Sequence, residues 1–129
     1  MQIELLQGEQ GLELFHKEGN WVLKRNIGYS PVQLLVTSIG ACGAYVYESI
    51  LTKSNIEHRL DTVDISYKVD EEDKAKPLTE VAITFNLWVP EDKKAQVERS
   101  LRLVNEYCPV IQSLNPNIGI IKEVNFLDK

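Results

Sequence analysis

Two cysteines, Cys42 and Cys108, are the residues of this chain whose types and positions point most directly to chemistry. Cys108 directly precedes Pro109, which places its sulfur at a predicted helix start, where unpaired N–H groups and the helix dipole favour the nucleophilic thiolate. Cys42 lies among glycines and alanines, where a small substrate or a second sulfur can come close. Free cysteine also serves as a small apolar core residue. Core filler and redox chemistry therefore both stay open at this point.

Other catalytic chemistries find little support in the sequence. His16 and His58 flank predicted strands without an acid or a cysteine at metal-ligand spacing, which argues against a metal site. The chain contains no G-x-S-x-G motif, which a serine hydrolase would place on a sharp turn. The aromatic residues are most simply core or rim residues, although Tyr107, beside Cys108, is placed to line an apolar pocket.

Composition and charge narrow the class of protein. A chain of 129 residues fits a single domain, which we predict to span residues 1–129. The net charge of −5 argues against nucleic acid as a partner, because phosphate binding needs clustered lysine and arginine. The first residues lack the basic start and apolar run of a secretory signal, which favours a cytoplasmic protein. Structural disulfides are rare in that reducing compartment.

The alternation of apolar and polar residues predicts the element order βββ-α-ββ-α-α-β in an α+β fold. The three short strands are predicted at Gln2–Gln7, Leu12–His16 and Asn20–Arg25, and the long helix from Pro31 to about Ser54. Two longer strands follow at His58–Val69 and Leu78–Val89. The amphipathic helix covers Glu91–Tyr107, a short helical turn begins at Cys108, and the last strand is Gly119–Phe126.

The long helix is the element that must position Cys42. Ser30 can cap its start, and Pro31 suits the first helical turn. The stretch from Asn26 to Tyr47 has no charged residue, but it is too polar to span a bilayer and predicts a buried helix without a membrane role. Helical spacing puts Cys42 on an apolar stripe with four other residues: Leu35, Ile39, Val46 and Ile50.

Two glycines within this helix, Gly40 and Gly43, each cost about 1 kcal/mol relative to alanine. A sequence tolerates that cost where another backbone or a substrate must approach closely. The helix is also apolar around most of its circumference, and a chain of this size cannot easily cover such a helix alone. We therefore predict a homodimer.

Two segments resemble the motifs of the OsmC/Ohr family. Ser30-Pro31-Val32-Gln33-Leu34-Leu35, followed by Ile39-Gly40-Ala41-Cys42, is similar to the family's proline-initiated P-x-[EQ]-L-L helix, which carries the first cysteine about eleven residues after the proline. Tyr107-Cys108-Pro109-Val110 is similar to the second motif, a C-P pair followed by an apolar residue at a helix start. The 66 positions between the cysteines and the element order also match the family.

The resemblance implies a cysteine-based peroxidase that needs no metal, haem or flavin. The residue matching the peroxidatic cysteine is Cys42, and the one matching the resolving cysteine is Cys108. An external dithiol would reduce the disulfide that forms after reaction with an organic hydroperoxide, or with hydrogen peroxide in some members. The implied fold is an intertwined dimer in which the long cysteine-bearing helix is wrapped by antiparallel sheet.

The sequence departs from the family at the residue that holds the thiolate-stabilising arginine. In the organic-hydroperoxide branch a glutamate of the helix-start motif holds that arginine, and Val32 stands at its position here. Arg25 is the best match to the arginine itself. Glu48 is expected at the solvent-facing end of the helix. The helix-start argument would make Cys108 the more acidic thiol, whereas the resemblance assigns the attack to Cys42.

Two alternatives remain open beside the peroxidase. One is a dimeric binding protein of the same fold that keeps the cysteines but has lost peroxidase activity together with the glutamate. The other is a hotdog-fold thioesterase, which also wraps a sheet around a long helix and would leave Cys42 as core. The C-P pair at Cys108 counts against the thioesterase.

Overall fold

The computed structural model describes residues Met1–Lys129, which form two compact units, Met1–Thr37 and Ser38–Lys129. The first unit contains three short antiparallel strands in the order β1 (Leu5–Gln7), β2 (Leu12–Leu14) and β3 (Trp21–Val22). All three predicted strands are present but shorter than predicted. Gly11 has a φ of 143° in the turn between β1 and β2, a conformation that favours glycine.

The helix α1, Pro31–Lys53, begins where the sequence predicts. Ser30 and Gln33 form a reciprocal cap, in which the Gln33 N–H donates to the Ser30 hydroxyl and the Ser30 N–H donates to the Gln33 side-chain oxygen. Beyond the helix end, Asn55 has a φ of 56°, and the Ile56 N–H donates to the Leu51 carbonyl oxygen at 2.9 Å. These bonds satisfy backbone groups that helix ends leave unpaired.

By length and composition alone, α1 could cross a membrane, since its most apolar window has a mean hydropathy of 1.4. The core helix of a soluble protein passes the same test. Here the side chains of Ile39, Tyr47 and Leu51 are at most 2% exposed, so one face of α1 is used for packing within the protein.

The second unit contains a sheet in the order β4 (Arg59–Val69), β5 (Leu78–Trp88) and β6 (Gly119–Phe126). The strand β4 pairs with β5 in the antiparallel direction, as predicted. In contrast, β6 pairs with β5 in the parallel direction, so the expectation of a purely antiparallel sheet is wrong for this pair. The physical reason is the helical crossover between β5 and β6, which returns the chain to the same end of the sheet.

The crossover is divided into more pieces than the sequence predicts. A 3₁₀ turn covers Glu91–Lys93, followed by α2 (Lys94–Arg99), α3 (Leu101–Tyr107) and α4 (Pro109–Gln112). The single helix predicted for Glu91–Tyr107 is interrupted at Ser100, whose hydroxyl donates to the Gln96 carbonyl oxygen at 2.9 Å. Such back-bonding by serine competes with the backbone hydrogen bonds and bends helices.

The core of the second unit lies between one face of β5 and the helices. The Tyr47 ring of α1 packs against Phe85 with ring centroids 5.1 Å apart, and its hydroxyl donates to the Val97 carbonyl oxygen at 2.6 Å. Burial raises the pKa of the Tyr47 hydroxyl, and Glu98 adds to this effect. Other fully buried side chains come from β5 and the crossover helices: Val81, Ile83, Leu87, Val97 and Val104.

Gly40 and Gly43 explain how close α1 lies to the sheet. A Cβ placed on Gly40 would come within 2.1 Å of Ile65 Cδ1, so only glycine fits there without movement. At Gly40 the close neighbour is the Ile65 side chain of β4 and not another backbone, and Gly43 has only ordinary contacts with Phe85, Val104 and Ile83. The buried face of α1 also differs from the predicted stripe, since Cys42 is only half-buried and Leu35 is 40% exposed.

Candidate active site

The position of Cys42 follows from the packing of α1 against the sheet and α3. Next to it, Gly43 faces Phe85 and Val104, because a Cβ at Gly43 would lie 3.7 Å from atoms of both side chains. Val104 of α3 therefore packs against α1 directly beside Cys42. Its sulfur-bearing side chain is half-buried and keeps partial access to solvent.

Cys108 lies at the junction of α3 and α4. Its N–H donates to the Val104 carbonyl oxygen at 3.0 Å, which completes α3, and its own carbonyl accepts from the Gln112 N–H at 2.9 Å, which begins α4. Its backbone is extended, with φ −86° and ψ 110°, and Pro109 occupies the first turn of α4. The residue is fully buried. The sequence therefore predicted the helix start at Cys108 correctly.

The structure brings the two thiols together although 66 positions separate them in the sequence. The Cys42 side chain raises the pKa of the Cys108 thiol through a side-chain hydrogen bond and through its charge, so the two thiols are neighbours in the structure. Val104 provides the link, because it faces Gly43 on one helix and lies one turn before Cys108 on the other. The pair is therefore held by the packing of α3 on α1.

The surroundings of Cys108 favour its protonated form. Burial raises the pKa of the Cys108 thiol, and the hydrogen bond and the charge of Cys42 raise it further. The backbone N–H groups of Ile111 and Val110 act in the opposite direction and lower the pKa, but less than burial raises it. The expectation that the helix start lowers the pKa of Cys108 is thus wrong, because burial outweighs the helix terminus.

Arg25 and Val32, the two residues expected to matter for the Cys42 thiolate, both lie at exposed positions. Arg25 is exposed in the turn between β3 and α1, where its backbone forms an isolated bridge with Gly28, and it makes no ion pair. Val32 is 43% exposed, and no acidic residue lies in the first turn of α1. The contact between Arg25 and Cys42 stays a prediction.

Glu48 does not simply face solvent, as the sequence suggested. Its carboxylate lies 3.6 Å from His58 Nε2, and the other ring nitrogen of His58 is 2.9 Å from the Ile56 carbonyl oxygen. This pair could not be predicted from the sequence, because the two residues are ten positions apart across the end of α1. The structure contains no cluster of three or more His, Cys, Asp or Glu side chains that could hold a metal ion.

The family model described as OsmC-like protein matches residues 24–122 of this chain. The match covers both cysteines and the helices that carry them. The chain belongs to the OsmC-like family.

Solved structures of the family share the fold at low sequence identity. The organic hydroperoxide resistance protein OhrB of Bacillus subtilis is 16% identical, with a TM-score of 0.64 and 96% of each chain covered. An OsmC-like protein from Mycoplasma pneumoniae is 13% identical, with a TM-score of 0.69, 98% of this chain and 94% of that chain covered. A hypothetical protein from Aquifex aeolicus is 24% identical, with a TM-score of 0.74 and coverages of 98% and 95%.

These matches confirm the predicted family and α+β fold, and they rule out the hotdog fold. No curated protein matches the chain significantly.

Proposed function

We propose that this OsmC-like protein reduces organic hydroperoxides with Cys42 as the peroxidatic and Cys108 as the resolving cysteine. The observation that carries the proposal is the proximity of the two thiols, which come from α1 and from the start of α4 and are brought together where Val104 packs against Gly43. A sulfenic acid on one sulfur would already have its resolving partner within reach. Relatives of this fold include proteins described as organic hydroperoxide resistance proteins.

The proposed cycle has three balanced steps. The Cys42 thiolate attacks the outer oxygen of the hydroperoxide, the O–O bond breaks, and the alkoxide leaves and takes a proton to become the alcohol. The Cys108 sulfur then attacks the resulting Cys42 sulfenic acid, forming a disulfide and releasing water. An external dithiol reduces that disulfide by thiol–disulfide exchange and is itself oxidised to a disulfide.

The difference between the two thiols supports this order of events. Cys42 keeps partial access to solvent, so a peroxide can reach it, whereas Cys108 is fully buried. The raised pKa of Cys108 keeps its proton in place at neutral pH. A protonated Cys108 can donate its hydrogen bond to a negatively charged Cys42 sulfur, which stabilises the attacking form.

The proposal also includes the residue that stabilises the thiolate, the oligomeric state and the source of the reductant. In this proposal Arg25 is the candidate for stabilising the Cys42 thiolate, and the functional unit is a homodimer. The cytoplasm would supply the dithiol reductant, since disulfides are kept reduced there. No further cofactor is needed in this cycle, because both electrons come from the thiols.

Peroxide consumption by single-cysteine variants tests the assignment. We expect Cys42→Ser to abolish the consumption of cumene hydroperoxide in the presence of a dithiol, because the attacking sulfur is gone. Cys108→Ser should consume about one equivalent and then stop, and Cys42 should gain the mass of one or more oxygen atoms. Thr52→Ala, at an exposed position of the same helix, serves as a control and should retain activity.

Mass spectrometry after one equivalent of peroxide decides the order of attack. Oxygen added to Cys108 in the Cys42→Ser protein, at the wild-type rate, would show that the two roles are reversed. Unchanged peroxide consumption in both cysteine variants would contradict the peroxidase proposal altogether.

A non-enzymatic dimeric binding protein is the second candidate, and one observation favours it. The first turn of α1 holds Val32 and no acidic residue, so nothing there can fix an arginine beside the thiolate. The candidate predicts that the wild-type protein does not consume peroxide. It also predicts that Val32→Glu, which supplies a carboxylate for Arg25, introduces dithiol-dependent peroxide consumption that the Val32→Gln control lacks.

A further inference from the structure

The junction between α3 and α4 leaves one carbonyl group of α3 without its usual helical partner. In a continuous helix, the Asn105 carbonyl oxygen would accept from the N–H of residue 109, but Pro109 has no N–H. A proline also disfavours the helical conformation for the residue before it, and Cys108 is extended, with ψ 110°. Helix α3 therefore ends at Tyr107, and the Asn105 carbonyl oxygen needs a donor from elsewhere.

The side chain of Gln112 supplies that donor. Its Nε2 donates to the Asn105 carbonyl oxygen, seven positions earlier in the chain. The backbone N–H of the same residue donates to the Cys108 carbonyl oxygen at 2.9 Å. Gln112 thus connects the last residue of α4 both to Cys108 and to α3, by one hydrogen bond each.

Helix α4 depends on such connections because it is short. It consists of a single turn, Pro109–Gln112, and its one buried side chain is that of Ile111. A single turn fixes several backbone angles in exchange for very few hydrogen bonds and is not stable alone. The hydrogen bond from Gln112 to α3 therefore contributes a substantial part of what holds α4 in place.

The position of α4 matters for the Cys108 sulfur. The extended backbone of Cys108 links the two helices, and its side chain reaches the Cys42 thiol from that point. The backbone N–H groups of Val110 and Ile111, both in α4, also act on the Cys108 thiol. A shift of α4 relative to α3 would turn the backbone at Cys108 and displace its sulfur, and small displacements of reacting groups slow reactions strongly.

We propose that Gln112 is a positioning residue of the thiol pair: its side-chain amide holds α4 on α3 so that Cys108 stays beside Cys42, and this sets the rate at which the two sulfurs form a disulfide. The proposal rests on the function proposed above, in which Cys108 attacks the Cys42 sulfenic acid. In that step the S–S bond forms, the S–O bond breaks, and the departing hydroxyl takes the Cys108 proton and leaves as water. Gln112 acts on this step only through the position of Cys108.

Substitutions of Gln112 separate the hydrogen-bond donor from the size of the side chain. Gln112→Leu and Gln112→Glu keep a similar size without a proton to donate at neutral pH, Gln112→Asn keeps the amide on a chain one carbon shorter, and Gln112→Lys keeps a donor on a long chain. The residue is exposed, so each variant should fold. Gln96→Leu is the matched control, because it makes the same change at an exposed position of α2.

The experiment adds one equivalent of cumene hydroperoxide to the reduced protein and follows the Cys42 sulfenic acid and the disulfide by rapid quenching and mass spectrometry. In Gln112→Leu, Gln112→Glu and Gln112→Asn we expect the sulfenic acid to form at the wild-type rate. Its conversion to the disulfide should be roughly three- to tenfold slower, as the loss of one exposed hydrogen bond predicts. Gln112→Lys and Gln96→Leu should form the disulfide at the wild-type rate.

Disulfide formation at the wild-type rate in both Gln112→Leu and Gln112→Asn would overturn the proposal. Equal slowing in Gln96→Leu or in Gln112→Lys would overturn it too, since the donor at position 112 would then not be the cause. A role in folding alone would lower the melting temperature or slow both steps together, and it would not slow disulfide formation selectively.

Equilibration with oxidised and reduced dithiothreitol separates this proposal from the peroxidase function. The Cys42–Cys108 disulfide forms as oxidised dithiothreitol is reduced, so the equilibrium constant measures how well the two sulfurs are held together. We expect this constant to fall roughly three- to tenfold in Gln112→Leu and to be retained in Gln112→Lys. Such a fall in a protein that consumes no peroxide would reject the peroxidase and keep the role of Gln112. Peroxide consumption with disulfide formation independent of Gln112 would do the reverse.

Discussion

Cys42 and Cys108 are the same residue type in contact with each other, yet their surroundings give them different properties. Cys108 is fully buried and its pKa is raised, whereas Cys42 keeps partial access to solvent. The local sequence around Cys108, with Pro109 after it, predicted a lowered pKa for Cys108. The motif around Cys108 reveals the helix start, but it does not reveal that the sulfur is buried or that Cys42 lies beside it. The direction of the pKa shift of Cys108 could therefore not be predicted from the motif.

The raised pKa of Cys108 has a measurable effect on stability at alkaline pH. From about pH 9, the ordinary value of the thiol, the unfolded chain loses the Cys108 proton before the folded protein does, so the free energy of unfolding decreases as pH rises. Below that pH the contribution is fully present. We expect this decrease, on the order of 1 kcal/mol per pH unit at most, in the wild type and a smaller one in Cys108→Ala.

Urea unfolding between about pH 8 and pH 10 measures this effect; the raised pKa of the Tyr47 hydroxyl adds a decrease of the same sign toward pH 10, but it adds equally to the wild type and to Cys108→Ala, so the difference between them reports Cys108. Cys42→Ala is the second variant, since it removes the hydrogen bond that contributes to the shift. Equal slopes in the wild type and Cys108→Ala would show that Cys108 does not ionise differently in the two states.

At the level of secondary structure, α1 and β6 were predictable because their signals are local. Ser30 and Pro31 mark the start of α1, and alternation marks β6 at Gly119–Phe126, the bounds that the structure has. The parallel pairing of β6 with β5 was not predictable, because alternation gives the faces of a strand and not the direction of its neighbour. The interruption at Ser100 depends on one side-chain hydrogen bond, which the apolar pattern of Glu91–Tyr107 does not contain.

Substitutions of the two glycines of α1 compare a tightly packed position with a loosely packed one on the same helix. Gly40→Ala should lower the free energy of unfolding by about 1 kcal/mol, because its Cβ would overlap Ile65 and overpacking outweighs the gain in helix propensity. Gly43→Ala should raise it by up to about 1 kcal/mol, since all neighbours of its Cβ would be at ordinary contact distances of 3.7 Å or more.

Chemical denaturation of both variants checks this contrast. The double variant Gly40→Ala with Ile65→Val, which shortens the overlapping side chain, should recover part of the loss. Destabilisation of the same size by both alanine substitutions would contradict the prediction that only position 40 is too tightly packed for a Cβ.

For the whole molecule, the apolar surface of the single chain is the feature that favours an oligomer. Tyr45 of α1 is 75% exposed, Tyr107 is 64% exposed, and several residues of the first unit are also exposed, including Leu5, Phe15 and Trp21. In the second sheet, β4 and β6 each pair only with β5, so each leaves one edge without a strand partner. Exposed edges and apolar patches of this kind are normally covered in native proteins.

We therefore expect a homodimer that buries more than about 2,000 Å² in total, as obligate dimers do. Tyr45→Glu should shift the protein toward monomer and lower its melting temperature, since a charge would replace an aromatic side chain in the interface. Lys74→Glu, a charge change in an exposed loop, is the control. Analytical ultracentrifugation at micromolar concentration measures this, and a well-folded wild-type monomer would contradict the prediction.

The contact between Cys42 and Cys108 also has a consequence for the unfolded chain. A disulfide between them would close a loop with 66 positions between its ends, and such a cross-link removes chain entropy from the unfolded state, worth up to about 4 kcal/mol for a loop of this length. The oxidised protein should therefore melt at a higher temperature than the reduced one, by calorimetry with and without dithiol. Reduction by the dithiol would then return the protein to its less stable form in every turnover.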